Sequence, residues 1–275
     1  MSHNASHYFY VSPVDKAEWT NNLHEKNLSD FLGFDPFTDG AKTINDKTYF
    51  EHLNLSFAKG FRLTTTYPGL LIGSGYSHPP INEGEDSDYQ LGFFFDHTIG
   101  IPIIPGSTVK GVLKNVFPKA GTEKRKEKLD YINTLAKKAL KIKDDMITYS
   151  NWEEIFFENG NVFFHAFPIA INKNNVDNEK KLLTDDAITP HHPGDPDAIF
   201  KEPIPIKFIK VPAEVTFKFQ FIVNKYRFDD GVTISRDNIL NIFKQILLDF
   251  GICAKRNVGY GHFKNDNKSK FNLTV

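Results

Sequence analysis

The sequence predicts an α+β fold whose regular elements run strand, helix, strand, strand, helix, strand, once the long connections between them are set aside. Three observations carry that expectation. Apolar side chains at Val215, Phe217, Phe219, Phe221 and Val223 alternate with Thr216, Lys218 and Gln220, the period of a half-buried strand. Apolar residues recur at helical spacing after Ser107 and again after Asp237. Phe is abundant, 26 copies in 275 residues, and its ring suits the half-buried pleated surface of a sheet. The βαββαβ order is the split βαβ, or ferredoxin-like, arrangement that RRM-like RNA-recognition modules also use. The fold alone assigns no function.

Residues 1–54 are polar and uneven and are expected to form an N-terminal extension, with a helix over 15–25 and a turn from Asp35 to Gly40. The main domain is expected over 55–275. Its first strand covers 55–66 and ends in the β-favouring run Leu63-Thr64-Thr65-Thr66. A connection rich in Gly, Ser, Asp and Pro follows over 68–105, and its apolar patch at 91–95 is expected to dock. The first helix opens at Ser107, aligns Val109, Val112, Leu113 and Val116 on one face, and is stopped by Pro118. Lys110 and Lys114 lie one turn apart on another face.

Residues 119–155 are expected to be a basic helical insertion, with Leu129, Ile132, Leu135, Ala136 and Leu140 at helical spacing. Its lysines serve either as a solvated face or as contacts to phosphate or a partner. A second strand over 161–171 places Val162, Phe164 and Ala166 on one face and Phe163, His165 and Phe167 on the other. The Asn-, Asp- and Pro-rich stretch 172–205 reads as a long excursion. Strands over 206–211 and 214–226 lead to an apolar helix capped by Asp237 and ended by Gly251, and a strand over 271–275 closes the chain.

A net charge of −1 gives no global basic signature, which counts against an independent nucleic-acid binder. It counts less against a subunit whose neighbours supply part of the charge, since only a local stripe need meet phosphates. The single cysteine, Cys253, excludes an internal disulfide and a multi-thiolate metal site. No secretion signal, bilayer-spanning run or lipidation motif is legible, so a cytoplasmic protein with no membrane partner is expected. Nothing matches a P-loop or dinucleotide fingerprint, and no cofactor is expected.

Three glycine-bearing segments carry the candidate chemistry. They are Gly69-Leu70-Leu71-Ile72-Gly73-Ser74-Gly75, Ile103-Ile104-Pro105-Gly106-Ser107-Thr108-Val109-Lys110-Gly111, and residues 251–263 with Lys255, Arg256, Asn257, Tyr260 and His262. Glycine lets backbone approach a ligand closely. Gly106 and Ser107 stand where a helix begins, and free N–H groups with the positive dipole end favour a phosphate there. A Gly-Ser helix start is equally the composition of a plain cap. Lys255 and Arg256 ride on a glycine-bounded loop, with Tyr260 and His262 available to stack or bond.

Taken together and in this order, the segments resemble the RAMP superfamily. Residues 100–111 resemble its "P-G-S-S-L-K-G" helix start, Phe163-Phe164-His165-Ala166-Phe167-Pro168 its "F-x-D-A-x-P" strand, and 251–263 its closing glycine-rich loop. Residues 186–191 resemble the "D-x-x-T-P-H" loop of the sixth-subunit family of type III-B CRISPR (Cmr) complexes. The strand departs from the family pattern in one place, His165 for the usual Asp, so any contact that carboxylate makes must be made differently or lost.

The resemblance implies a non-catalytic backbone subunit of a Cmr RNA-guided antiviral complex, with guide RNA, target RNA and the other Cmr subunits as partners. It implies that Gly73, Ser74, Gly106, Ser107, Lys110, Lys114, Lys255, Arg256, Asn257, Tyr260 and His262 hold RNA. The excursion 172–205, with His191 and His192, would be a thumb set against the guide–target duplex. Phosphate and backbone contacts would make binding insensitive to guide sequence.

The rival reading is a RAMP-family endoribonuclease that cuts target or guide-precursor RNA. Asp86, Asp88 and Asp96 with His78, His97 or His262 would be its acid and base. The same residues are also what any solvated surface loop contains. A metal reading rests on His191 and His192 with Asp185, Asp186, Asp195 and Asp197. Adjacent histidines on an extended chain diverge and seldom share one ion, so no metal is expected.

Overall fold

The structure is a computed structural model that describes residues 57–73, 93–96, 101–118, 120–141, 151–172, 182–189 and 205–266. The expected helix at 15–25, the closing strand at 271–275 and most of the two long connections lie outside the described residues.

The alternating run predicted from Val215 becomes the central strand, β6 (Val215–Ile222). Strand β1 (Lys59–Thr65) pairs with it antiparallel, placing Phe61 opposite Phe219 and Leu63 opposite Phe217. On its far edge β1 pairs with β9 (Phe263–Asn265). On its other side β6 pairs with β2 (Val162–Phe163) and β3 (Phe167–Ile171). The spatial order is therefore β2/β3, β6, β1, β9, every neighbouring pair antiparallel. Two strand–helix–strand units interlock in it, each split by a strand of the other.

Directly opposed residues share a face. Phe217, Phe219, Phe221 and Leu63 therefore form one apolar layer, and helices α1 (Gly106–Lys114) and α3 (Arg236–Phe250) close over it. Phe243 of α3 meets Phe221 with ring centroids 5.5 Å apart, and Ile239, Ile242 and Ile246 lie beside it in the core. Each such side chain, fully buried, stabilises the fold by about 1.5–3 kcal/mol. The opposite sheet face is polar. Thr64 and Thr216 bond through their hydroxyls at 2.9 Å, and Arg62 stands directly across from Lys218. Burial, then the Arg62 charge, holds the Lys218 ammonium below its ordinary pKa.

Several predicted elements are redrawn by tertiary contacts. The strand expected over 161–171 breaks into β2 and β3. Phe164 still donates its N–H to Gln220 of β6, but Ala166 exchanges both backbone hydrogen bonds with Ile104, at 2.9 and 3.0 Å. The face assignment fails with the break: Ala166 is fully buried, while Val162, placed on the same face, is exposed. The strand expected to reach residue 226 stops at Ile222, because the Asn224 N–H turns to the Asn161 side chain at 2.9 Å. The chain then forms a short hairpin, β7 (Tyr226–Arg227) with β8 (Thr233–Ile234).

The cap of α3 is Ser235, whose hydroxyl accepts from the Asn238 N–H at 3.2 Å. Asp237, the expected cap, sits in the first turn and pairs with Lys59 at 2.9 Å. The segment read as an insertion supplies α2 (Glu123–Leu140), which is seated in the main core through Ile132 and Ala136. Buried Trp152 donates to the Asn133 side chain at 3.1 Å, and a π-helical turn, Glu154–Glu158, adds Ile155 and Phe156. The patch expected to dock does so at Phe93 and Phe95, both fully buried. The excursion is rooted in a regular hairpin, β4 (Thr184–Ile188) with β5 (Ile206–Lys210).

Candidate nucleic-acid interface

Two of the three glycine segments are zipped together where β1 leaves the sheet and β9 enters it. Thr66 donates its N–H to the His262 carbonyl at 3.0 Å, and the Gly261 N–H donates to the Gly69 carbonyl at 2.9 Å. Ala254 donates to Leu71 at 2.9 Å, and Leu70 exchanges hydrogen bonds with Val211, at 2.7 and 2.9 Å. The approach is close enough to exclude a side chain. A Cβ on Gly69 would lie 2.2 Å from the Val211 carbonyl oxygen, and one on Gly261 2.0 Å from that of Ile252. Glycine is required at these positions for backbone-to-backbone packing, whatever else the loop does.

The third segment lies elsewhere. Gly106 opens α1 against the break between β2 and β3, at the sheet edge opposite β9. It is buried, and its N–H donates to Nδ1 of His165 at 2.9 Å. The expected free N–H at Gly106 is therefore occupied by a side chain 59 residues away in sequence, which corrects its assignment to phosphate. His165 thus makes a contact that a carboxylate at its position is chemically suited to make, by accepting through a ring nitrogen. Ser107, Lys110 and Lys114 are exposed on α1, with Lys110 Nζ 5.7 Å from the centre of the Phe163 ring.

The loop over 251–263 divides its residues between structure and surface. Lys255 and Asn257 are exposed around a 3₁₀ turn, Arg256–Val258. Arg256 is half-buried and donates to the Phe250 carbonyl at 3.1 Å, closing the C-terminal end of α3. His262 is half-buried, and Gly73 is exposed beside Ala254. Tyr260 corrects the expectation that it would offer its ring to a base. Only 6 % of it is exposed, its ring lies 5.7 Å from that of Phe208, and its hydroxyl donates to Asp186 at 2.6 Å. Ser74, His78, Asp86, Asp88, His97, His191, His192, Asp195 and Asp197 lie outside the described residues.

Asp186, which the sequence offers as part of a loop motif and of the metal reading, is in the structure the junction between hairpin β4–β5 and the glycine loop. It receives Lys210 Nζ at 2.5 Å, the Tyr260 hydroxyl, and the N–H of Ala187 at 2.8 Å. Burial works to raise its pKa, but these hydrogen bonds and the Lys210 charge outweigh it, and the net shift is below the ordinary carboxylate value. Burial, then the hydrogen bond to Asp186, pushes the Tyr260 phenol up, so it remains a donor. Burial likewise raises the Cys253 thiol, which favours its protonated form. Among the described residues no group of His, Cys, Asp and Glu is placed to hold a metal ion, and no helix is long and apolar enough to cross a membrane.

An antiparallel sheet of interlocked strand–helix–strand units, with its first strand's exit zipped to a glycine-rich loop before the last strand, defines the class of this domain. The family model of the RAMP superfamily matches residues 62–264, from β1 to β9, and the chain belongs to that superfamily. Its fold is also that of a chain in the cryo-electron microscopy structure of the type III-B Cmr-beta complex bound to cognate target RNA. That match has 22% identity and a TM-score of 0.52, covering 88% of this chain and 71% of the other. The crystal structure of Cmr6 from Pyrococcus furiosus matches at 24% identity and a TM-score of 0.40, covering 76% of this chain and 97% of that one. Comparison with curated proteins gives no match.

Proposed function

We propose that this chain is a non-catalytic backbone subunit of a type III-B CRISPR (Cmr) RNA-guided complex, gripping guide RNA toward its 3′ end and the guide–target duplex in antiviral defence. The observation that carries the reading is membership of the RAMP superfamily across both zipped glycine segments and the start of α1. The likeness in fold to a chain of an RNA-bound Cmr complex supports it. So does the strand order, which agrees with a ferredoxin-like βαββαβ core carrying insertions. Lys255 and Asn257 at the glycine loop, and Ser107, Lys110 and Lys114 along α1, present exposed donors in two separated groups. Two separated groups suit an extended strand of RNA better than a compact ligand.

The test is purification of the tagged chain from its native host, with sequencing of bound RNA and identification of co-purifying proteins. Repeat-derived guide RNA together with sibling RAMP subunits, and no cleavage of guide or target by the chain itself, is the expected result. Guide RNA without siblings, cut in a reaction that His262→Ala abolishes, would replace this reading with the endoribonuclease. Absence of RNA would overturn both.

A further inference from the structure

The described residues expose four large apolar side chains, and two of them, Tyr67 and Val258, belong to the two segments joined at the glycine junction. Tyr67 is 83% exposed and Val258 62% exposed. Tyr67 follows directly on the Thr66 N–H bonded to His262, and precedes Pro68, whose ring abuts Gly259. A Cβ on Gly259 would lie 3.3 Å from the Pro68 ring. Val258, Asn257 and Lys255 are the exposed residues immediately before that glycine. Tyr67 stands in the turn that brings Pro68 against Gly259. Among the described residues it meets no other ring and has no hydrogen-bond partner.

A solitary exposed tyrosine is ordinary on a protein surface. This one precedes Pro68, and Pro68 abuts the Gly259 that follows exposed Val258 in a loop carrying Lys255, on backbone hydrogen-bonded across the junction. A flat π-face, an aliphatic neighbour and a nearby ammonium are the components of a stacking platform for a nucleobase, with phosphate held alongside.

We infer that Tyr67, with Val258 at the same junction, is a stacking platform for one base of single-stranded RNA passing Lys255. The inference rests on the RNA-binding reading above and adds to it a named residue and a mode of contact. The occupant is RNA rather than an apolar protein surface because the loop that Pro68 abuts exposes Lys255 and Asn257, a cation and an amide. An interface core is depleted in charge. Stacking is indifferent to base identity, as a subunit that carries many guides requires.

The experiment uses the full chain and single-stranded guide RNA oligonucleotides carrying 2-aminopurine at successive positions. The expected result is quenching at one position, lost in Tyr67→Ala, retained in Tyr67→Phe and Tyr67→Trp, with affinity falling roughly tenfold in Tyr67→Ala. The dependence of binding on salt should be unchanged, because no charge is removed. Thermal unfolding of each variant should match that of the parent chain, since the ring packs against nothing that stabilises the fold. Wild-type binding with undiminished affinity and quenching in Tyr67→Ala would overturn the platform and leave the RNA-binding reading standing. Loss of co-purifying proteins with RNA retained would overturn it in favour of a protein contact. Failure of the wild-type chain and its assembled complex to bind RNA would remove both.

Discussion

The imidazole of His165 accepts a hydrogen bond through Nδ1 from the backbone N–H of Gly106, at 2.9 Å, and so caps helix α1 from the break between β2 and β3. Helix starts leave N–H groups without partners inside the helix, and α1 has no cap from Pro105, the residue before it. The contact requires Nδ1 to be unprotonated. In His165→Ala the buried Gly106 donor loses its acceptor, at a cost of about 1–3 kcal/mol. His165→Asp should recover most of that, because a carboxylate accepts the same bond and favours the positive end of the helix dipole. Denaturant unfolding together with hydrogen exchange at the Gly106 amide checks both statements. An Ala variant as stable as the parent would show that the bond contributes nothing.

The contact of Tyr260 with Asp186 ties the excursion's root to the glycine loop, and it should set part of the response to acid. Tyr260→Phe keeps the ring among Phe208 and Lys210 and should cost about 1 kcal/mol. Asp186 has a depressed pKa in the folded chain. The stability it contributes is therefore present above its ordinary carboxylate value and is lost as pH falls through the depressed folded value. Asp186→Asn should lower stability at neutral pH and flatten the acid limb of the stability curve. Chemical unfolding from neutral pH down into the carboxylate range measures it. A variant whose acid limb keeps the parent's slope would assign that limb to other carboxylates.

Lys255 and Arg256 are neighbours in sequence but not equivalent in structure. Lys255→Ala should weaken RNA binding and reduce its salt slope by about one, with unfolding unchanged. Arg256→Ala also removes the donor to the Phe250 carbonyl and should lower stability by about 1 kcal/mol. Replacing both should weaken binding further and lower its salt dependence. Binding titrations over a range of salt, read beside thermal unfolding of each variant, separate the two roles.

Two glycines give opposite expectations for one substitution. Gly261 has φ of +77° and no room for a Cβ against Ile252, so Gly261→Ala should cost at least about 1–3 kcal/mol. Gly111 is helical, exposed and open around its Cα, so Gly111→Ala should stabilise α1 by about 0.5–1 kcal/mol. Midpoints of urea unfolding for the pair are the measurement.

Local periodicity alone was enough to place β6 and α3, because a strand's alternation and a helix's apolar face are recorded directly in neighbouring residues. Phe217, Phe219, Phe221, Ile239, Phe243 and Ile246 are all buried where that pattern put them. The family was legible for a similar reason, since its motifs are continuous runs. What the sequence did not determine is where a run ends and what its polar atoms bond. The break at Phe164–Ala166 exists because Ile104, far away in the chain, offers Ala166 its backbone. The helix over 123–140 reads in sequence as a basic insertion, and only the fold shows Ile132 and Ala136 in the main core and Tyr131 reaching Asp249. Tyr260 and Gly106 carry the composition of a ligand site, yet Asp186 and His165 occupy them. Tyr67 is not legible in the sequence, because exposure next to a loop distant in the chain leaves no mark on its own neighbours. Periodicity is a property of adjacent residues, whereas hydrogen-bond partnership and exposure belong to residues that only the folded chain brings together.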